Sequence, residues 1–542
     1  MKKFLVYAGL GMAMLLVLLV VMPSGSRYCA QGSCGIFYWG AHEHDGVWHQ
    51  ALVATAFRSW PPKFPTYAGA ELTGYNWLMD LPLALLARLS GSDGAFWYFK
   101  LLPLVWVGLM IWSWNKFAES YRPTPSYRFW LWFFLLLGNS LGFVLTWWHQ
   151  GTIWGGSGIL AMQSPQMLTN IQFALSLPAI AYGLYLMKKG VTQGEWWLLA
   201  GLVFITMGLK FYGGVILWLM SLVYGVGQKG WRGVIKVTLA LILAGLIFYN
   251  PLQQASTGPI LSWTPLATVH PIIEDQNLFY IPRLATARYS AINDHAWLKL
   301  ILVEVLTILI FLVFNYGTRL IALGVISMRK VKAFDWVLIA GIAAGLLLNM
   351  LTTQRGEWWN TVQFLYYSLI LTAVYAAEAA EQWSSRGKGV IVGMIILFTI
   401  PNAFDTARIF GSFPPGSYIS DGELAMLGEL KKQPEGVVLA LPVAPNPLPF
   451  PSKPSPLYSR YDSAYVSAYT AKPTYLNDLV QMRLTGIDYQ HRLDRVNNVD
   501  CSVLDAVDYL YITGPELNPW EKCIATLELI GRNEASRVWR VH

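Results

Sequence analysis

Asn76-Trp-Leu-Met-Asp-Leu-Pro-Leu-Ala-Leu-Leu-Ala-Arg-Leu89 is apolar enough to seek a bilayer, and its reading decides how the chain is threaded through one. It has fourteen residues and is interrupted by Asp80 and Pro82, whereas a helix spanning the hydrocarbon needs about 20 apolar residues. We therefore read it as a helix lying on or dipping into the outer surface. With it left out of the count, the other apolar stretches thread consistently. Residues 4–22 follow Met1-Lys2-Lys3 and end at Pro23-Ser24-Gly25-Ser26 without a convincing small-residue cleavage site. They read as an uncleaved signal anchor with its amino end inside. Further apolar segments lie near 95–114, 129–148, 168–187, 196–209, 213–226, 234–249, 297–316, 336–351, 362–380 and 390–400, making about eleven spans with the anchor.

An odd number of spans puts the tail outside, and the cations test this. Lys116, Arg122 and Arg128, then Lys188 and Lys189, then Lys229, Arg232 and Lys236, then Arg319, Arg329, Lys330 and Lys332, then Arg386 and Lys388 all fall in alternate loops. That is the distribution expected of cytoplasmic loops. The expected fold class is a polytopic α-helical membrane protein with a small C-terminal extracytoplasmic α/β domain. Residues 1–404 form the membrane domain, with a large first outer loop over 23–94, and residues 405–542 form the outer domain. The expected location is the bacterial inner (cytoplasmic) membrane.

Composition supports this class. Of 542 residues, 55% are hydrophobic and 13% charged, against roughly 25% charged in a soluble domain. The mean hydropathy is +0.41, and 25 Trp, 28 Tyr and 25 Phe add the aromatics that gather at membrane interfaces. This excludes a soluble cytosolic enzyme. Of the 70 charged side chains, 29 follow Phe404, so a water-exposed region closes the chain. The net charge of +8 is explained by loop cations. No basic run, zinc spacing or aromatic RNA-binding motif accompanies it, so nucleic acid is not expected as a partner.

Cys29 and Cys34 fall in the first outer loop and Cys501 and Cys523 in the tail, where an oxidising compartment permits two disulfides. Four free thiols are the alternative. In the tail, 423–432 suits a short helix, while Gly436-Val-Val-Leu-Ala-Leu-Pro442 and Asp508-Tyr-Leu-Tyr-Ile-Thr513 suit strands. Leu527-Glu-Leu-Ile and Arg537-Val-Trp-Arg-Val541, joined by a turn, read as a hairpin. The Pro- and Tyr-rich stretch 445–475 reads as a loop following a surface.

No glycine-rich nucleotide fingerprint, Walker sequence, Ser-x-x-Lys or His-Glu-x-x-His is present, so nucleotide hydrolysis has no support. Chemistry is expected outside, where polar loops meet the spans. The first outer loop carries His42-Glu43-His44-Asp45-Gly46. On an extended segment residues i and i+2 share a face, so Glu43 and Asp45 would address one pocket. A solvated acidic loop is the competing reading, as is a divalent metal site drawn from His42, Glu43, His44 and Asp45. Other polar groups that would line a substrate pocket are Glu71, Tyr75, His149, Gln163, Glu274, Asp275 and Glu357. Lys210 lies between two apolar segments without an acidic neighbour in sequence, which suits holding an anion; snorkelling to the interface is its alternative.

The architecture, an anchor span, an acidic motif in a large first outer loop, about ten more spans and a small outer domain, resembles the GT-C class of membrane glycosyltransferases. That class includes the protein O-mannosyltransferases and the lipid A aminoarabinose transferases. In sequence the resemblance rests on His42 to Asp45, Gly74-Tyr75-Asn76-Trp77, Gly208 to Gly214, Trp359 to Phe364, and Val466-Ser-Ala-Tyr-Thr-Ala-Lys-Pro-Thr-Tyr475, and is nearest to uncharacterised bacterial members. It implies transfer of a sugar from a polyprenyl phosphate to a glycan, lipid or protein acceptor at the outer face, with inversion. Asp45 and Glu43 would be the catalytic acids, and Lys210, Arg283, Arg288 and Arg355 the cations that hold the donor phosphate. Two rival classes remain, a transporter or flippase of lipid-linked or small polar substrates and a non-catalytic assembly or sensor protein. A transporter would show polar residues within its spans and paired half-helices across repeats, and neither is evident here.

Overall fold

The computed structural model describes residues 20–30, 32–154, 163–250, 259–276, 280–328, 330–443, 454–514, 518–534 and 536–542. The predicted anchor at 4–22 lies almost wholly outside them. The protein is a polytopic helical membrane protein. Among the described residues, six helices are long and apolar enough to cross a bilayer: Gly94–Tyr121, Trp231–Tyr249, Trp297–Ser327, Ala333–Leu351, Trp358–Ser385 and Gly389–Ile409. Pro125–Leu137 and Gly142–Gln150, bent by 44°, bring the number to seven if they form one span. Ile171–Lys189, Glu195–Leu209 and Phe211–Gly227 are helices at the predicted segments 168–187, 196–209 and 213–226. The decisive stretch 76–89 folds as helix Asp80–Ser90, whose eleven residues reach only about 16 Å.

The chain forms two compact units. One is built chiefly from Trp106–Gly245 and Pro259–Ile409, the other chiefly from Val17–Val105 and Phe410–His542 together with Leu246–Gly258. In the first unit Trp358–Ser385 is the central helix: 94% of its apolar window is buried, against 17% for Trp297–Ser327. Its sequence explains this. Ala373, Ala376, Ala377, Ala379 and Ala380 are all buried, and small side chains let helix backbones approach closely where no water drives association. Trp297–Ser327 instead turns Leu298, Ile301, Leu302, Val305 and Leu309 outward, the surface a lipid-facing helix presents. At one end of the bundle Arg122 bridges Glu378 at 3.1 Å and also pairs with Glu381.

The second unit does not follow the division into 1–404 and 405–542, because the first outer loop and the tail share a sheet. Strand Ser26–Ala30 pairs antiparallel with Ser33–Tyr38, Cys29 lying opposite Cys34. Ser33–Tyr38 pairs in turn with Ser417–Ser420, which runs parallel to Ser455–Pro456. Gly35 permits this pairing: a Cβ there would stand 1.9 Å from the Ile419 carbonyl oxygen. A second sheet lies wholly in the tail, in the order Val438–Leu441, Tyr509–Thr513, Ser536–Arg540, Glu528–Arg532. Helix Asp421–Lys432 packs beside it. The sulfurs of Cys29 and Cys34 are bonded, as are those of Cys501 and Cys523.

Candidate active site

The acidic motif is not extended. After Trp39 the chain makes a tight 3₁₀ turn, Gly40–Glu43, and then enters helix Asp45–Thr55. Helical residues two apart do not face each other, so the expected sharing of one pocket by Glu43 and Asp45 gives way to separate surroundings. Glu43 accepts hydrogen bonds from Arg460 and from the Ser417 hydroxyl. Arg460 also grips Asp462 through two bonds, 2.9 Å from Nε and 2.7 Å from Nη2. Glu43 is thus part of the joint between the first loop and the tail.

Asp45 opens its helix, where the dipole favours a carboxylate, and keeps 29% of its side chain exposed. The buried helix behind it, with Val47, Trp48, Ala51 and Leu52 all enclosed, fixes its backbone. Gly46 lets the helix settle on Phe99, since a Cβ there would come within 2.5 Å of that ring. His44 Nδ1 stands 3.1 Å from Asp45 Oδ1, and its Nε2 stands 3.7 Å from Oδ1 of Asp478. Burial alone would lower the His44 pKa, but the two carboxylates outweigh it and raise it well above the usual imidazole range. The ring therefore lies between two carboxylates that favour its protonated form.

Beneath this pair lies a buried network. His49 Nδ1 is 2.8 Å from Asp80 Oδ1, its ring stacks on Tyr98, and its Nε2 is 3.4 Å from the Tyr75 hydroxyl. Burial raises the Asp80 pKa, opposed by His49. Burial, then the charges of Asp80 and Asp45, raise that of Tyr75. Of the other residues predicted for the pocket in this region, Tyr75 joins the His49 network, whereas Glu71 pairs with Lys63 at 3.3 Å.

The candidate metal donors do not converge. His42 is buried, with Nδ1 2.8 Å from the Ser24 hydroxyl and its ring against Phe99, while Glu43 is engaged by Arg460. Among the described residues no group of three or more His, Cys, Asp or Glu is arranged to hold a metal ion.

The other predicted residues belong to the first unit. Lys210, buried, adopts an extended conformation between helices Glu195–Leu209 and Phe211–Gly227. Two residues on, the Tyr212 hydroxyl donates to Gln354, which also accepts from Asn360 at 2.6 Å. The Lys210 break is therefore tied to the turn carrying Arg355 and Glu357. Glu357 accepts from the Trp359 indole at 2.7 Å. Arg288 donates to Glu304 at 2.8 Å and to Glu274 at 3.1 Å, and His270 lies 2.9 Å from Glu304. Two carboxylates thus already engage Arg288. Arg283 is exposed on helix Pro282–Asn293, and Asp275 caps Pro271–Glu274. His149 is exposed in the last turn of Gly142–Gln150, and Gln163 opens helix Gln163–Thr169.

Sequence reasoning missed Asp478, Arg460 and the role of Asp80. Asp80 had looked only like an interruption of an apolar segment. Besides local partners, Asp462 for Arg460 and Gln481 for Asp478, these two residues face Glu43 and His44 from the other end of the chain.

No protein-family model matches the chain, and no curated protein matches it in sequence. Solved structures do. The arabinofuranosyltransferase AftD from Mycobacteria superposes with a TM-score of 0.51 at 13% identity, over 100% of this chain and 42% of that one. The oligosaccharyltransferase of Archaeoglobus fulgidus gives 0.49 at 12% identity, over 93% and 68%. ArnT from Cupriavidus metallidurans gives 0.40 at 11% identity, over 99% and 98%. At such identities the likeness concerns fold alone, and what the arabinofuranosyltransferase match shows is that this chain has the fold of the GT-C membrane glycosyltransferases.

Proposed function

We propose that the protein transfers a sugar from a polyprenyl-phosphate-linked donor to an acceptor hydroxyl at the outer face of the bacterial inner membrane, with inversion. One observation carries the reading. In this fold, the segment 23–94 carries a partly exposed carboxylate, Asp45, at a helix start, paired with His44 at 3.1 Å.

Asp45 accepts the proton of the acceptor hydroxyl as that oxygen bonds to the anomeric carbon. The bond from that carbon to the phosphate oxygen breaks on the opposite face, and the electron pair leaves with the lipid phosphate. A phosphate is a stable anion and needs cations rather than a general acid. Lys210 is the first choice for that work, with Arg355 and Arg283 behind it and Arg288 last because of its two carboxylate partners. The acceptor is a glycan, lipid or protein, and Tyr75 borders its pocket.

The test uses the purified full-length chain with a pool of lipid-linked sugars extracted from bacterial membranes, following release of polyprenyl phosphate. Asp45→Asn keeps the shape and removes the basicity. It should lower release by about 10²-fold or more while the melting temperature stays put. Release at the parental rate would overturn the assignment.

A further inference from the structure

We propose that Asp478 is the positioning residue of Asp45, acting through the imidazole of His44, so that the C-terminal segment completes the site in the first loop. The proposal rests on Asp45 being the base. Its evidence is geometric. Asp478 is fully buried, yet its Oδ2 has no hydrogen-bond partner. Its Oδ1 accepts from the Gln481 amide at 3.2 Å and faces His44 Nε2 at 3.7 Å. A buried carboxylate with an unsatisfied oxygen is costly, and the charge that faces it is His44. The residue also sits at φ +50°, in the left-handed region that a non-glycine residue enters at a cost of about 1 kcal/mol or more. Through the Gln481 bond Asp478 also caps helix Leu479–Thr485; burial raises its pKa and His44 opposes that shift.

The segment holding Asp478 is fastened to the first loop by a ladder of main-chain bonds. The Ala68 amide donates to Thr474 O, Thr474 to Pro65 O and Asn477 to Thr66 O, each at 2.9 Å. Asp478 therefore stands at a fixed height beneath His44. Asp45 Oδ1 lies 3.1 Å from Nδ1 and Asp478 Oδ1 3.7 Å from Nε2, the second a charge–charge contact rather than a hydrogen bond, so the His44 ring sits between two carboxylates that favour one orientation. The raised pKa of His44 agrees with this. The charged groups that face the cluster are Asp45 and Asp478 on His44 and Asp462 on Asp478, with the neutral, titratable Tyr75 under the influence of Asp45. A misplacement of about 1 Å in a catalytic group can cost about 10²-fold in rate, which sets the size of the expected effect.

Asp478→Asn, His44→Gln and the double variant would be assayed with the same donor pool, together with melting temperatures. Asp478→Asn should lower turnover by about 10- to 100-fold with the donor KM within about twofold. The double variant should be no slower than His44→Gln, because a residue that acts only through His44 has nothing to add once His44 is gone. Turnover of Asp478→Asn at the parental rate, or losses that multiply in the double variant, would overturn the positioning role. If Asp478→Asn cannot be recovered folded, His44→Gln decides: parental turnover overturns the role, and a loss at unchanged donor KM supports it. Asp45→Asn separates the two claims. If that variant is active, the base assignment fails and this role with it. If it is inactive while Asp478→Asn matches the parent, only the positioning role fails.

Discussion

Lys210 is a buried lysine at the break between two helices, and its positive charge suits a lipid phosphate. Its extended backbone separates helices Glu195–Leu209 and Phe211–Gly227, and two residues on Tyr212 donates to Gln354. A lipid phosphate in a low-dielectric groove requires a charge-assisted partner. Lys210→Met keeps the stem and removes the charge. The variant should remain folded in detergent and bind undecaprenyl phosphate at least about tenfold more weakly, which is about 1.4 kcal/mol, as read by native mass spectrometry. Equal affinity would move the phosphate site to Arg355 or Arg283. The same scale separates the acids. Glu43 and Asp45 look equivalent in sequence, yet Arg460 and Ser417 bond to the first, while the second pairs with His44.

Among the elements, helix Asp421–Lys432 shows how a local pattern acquires a tertiary consequence. Its Ser420 cap and its acidic first turn and basic last turn are legible in the sequence. Its attachment to the tail sheet is not, because it depends on Glu423 being buried and accepting from the Tyr511 hydroxyl at 3.0 Å. Burial pushes the Glu423 pKa up to about 7, opposed by its tyrosine partners. The folded state therefore holds a proton that the unfolded chain releases above its ordinary value of 4.5. The resulting stability is full below that value and is lost as pH rises through about 7. The protein should melt at a lower temperature at pH 8 than at pH 5, by an amount corresponding to at most about 3 kcal/mol. Glu423→Gln retains the acceptor for Tyr511 and should flatten this dependence. An unchanged slope in calorimetry would show that another group is responsible.

For the whole molecule, the positive-inside path puts the loops holding Lys188 and Arg386 in the cytoplasm and the tail outside. In a variant lacking the four native cysteines, a cysteine at Lys188 should resist an impermeant maleimide applied to intact spheroplasts, and one at Ser502 should react. Labelling at Lys188 would overturn the path. The sequence by itself determined what depends on local composition. Long apolar runs declare a membrane protein because each helix must satisfy its own backbone in lipid. Alternating and turn residues declare the tail's strands and hairpin, and the acid pair marks the first loop as the candidate site. Only the tertiary structure gave the two acids different partners, because Arg460 and Asp478 reach the motif from the far end of the chain. Only it showed that Ser33–Tyr38 takes Ser417–Ser420 as a sheet neighbour, joining the first loop and the tail in one unit. Pairings of that kind follow from shape and charge once the chain is packed, and no periodicity near either partner announces them.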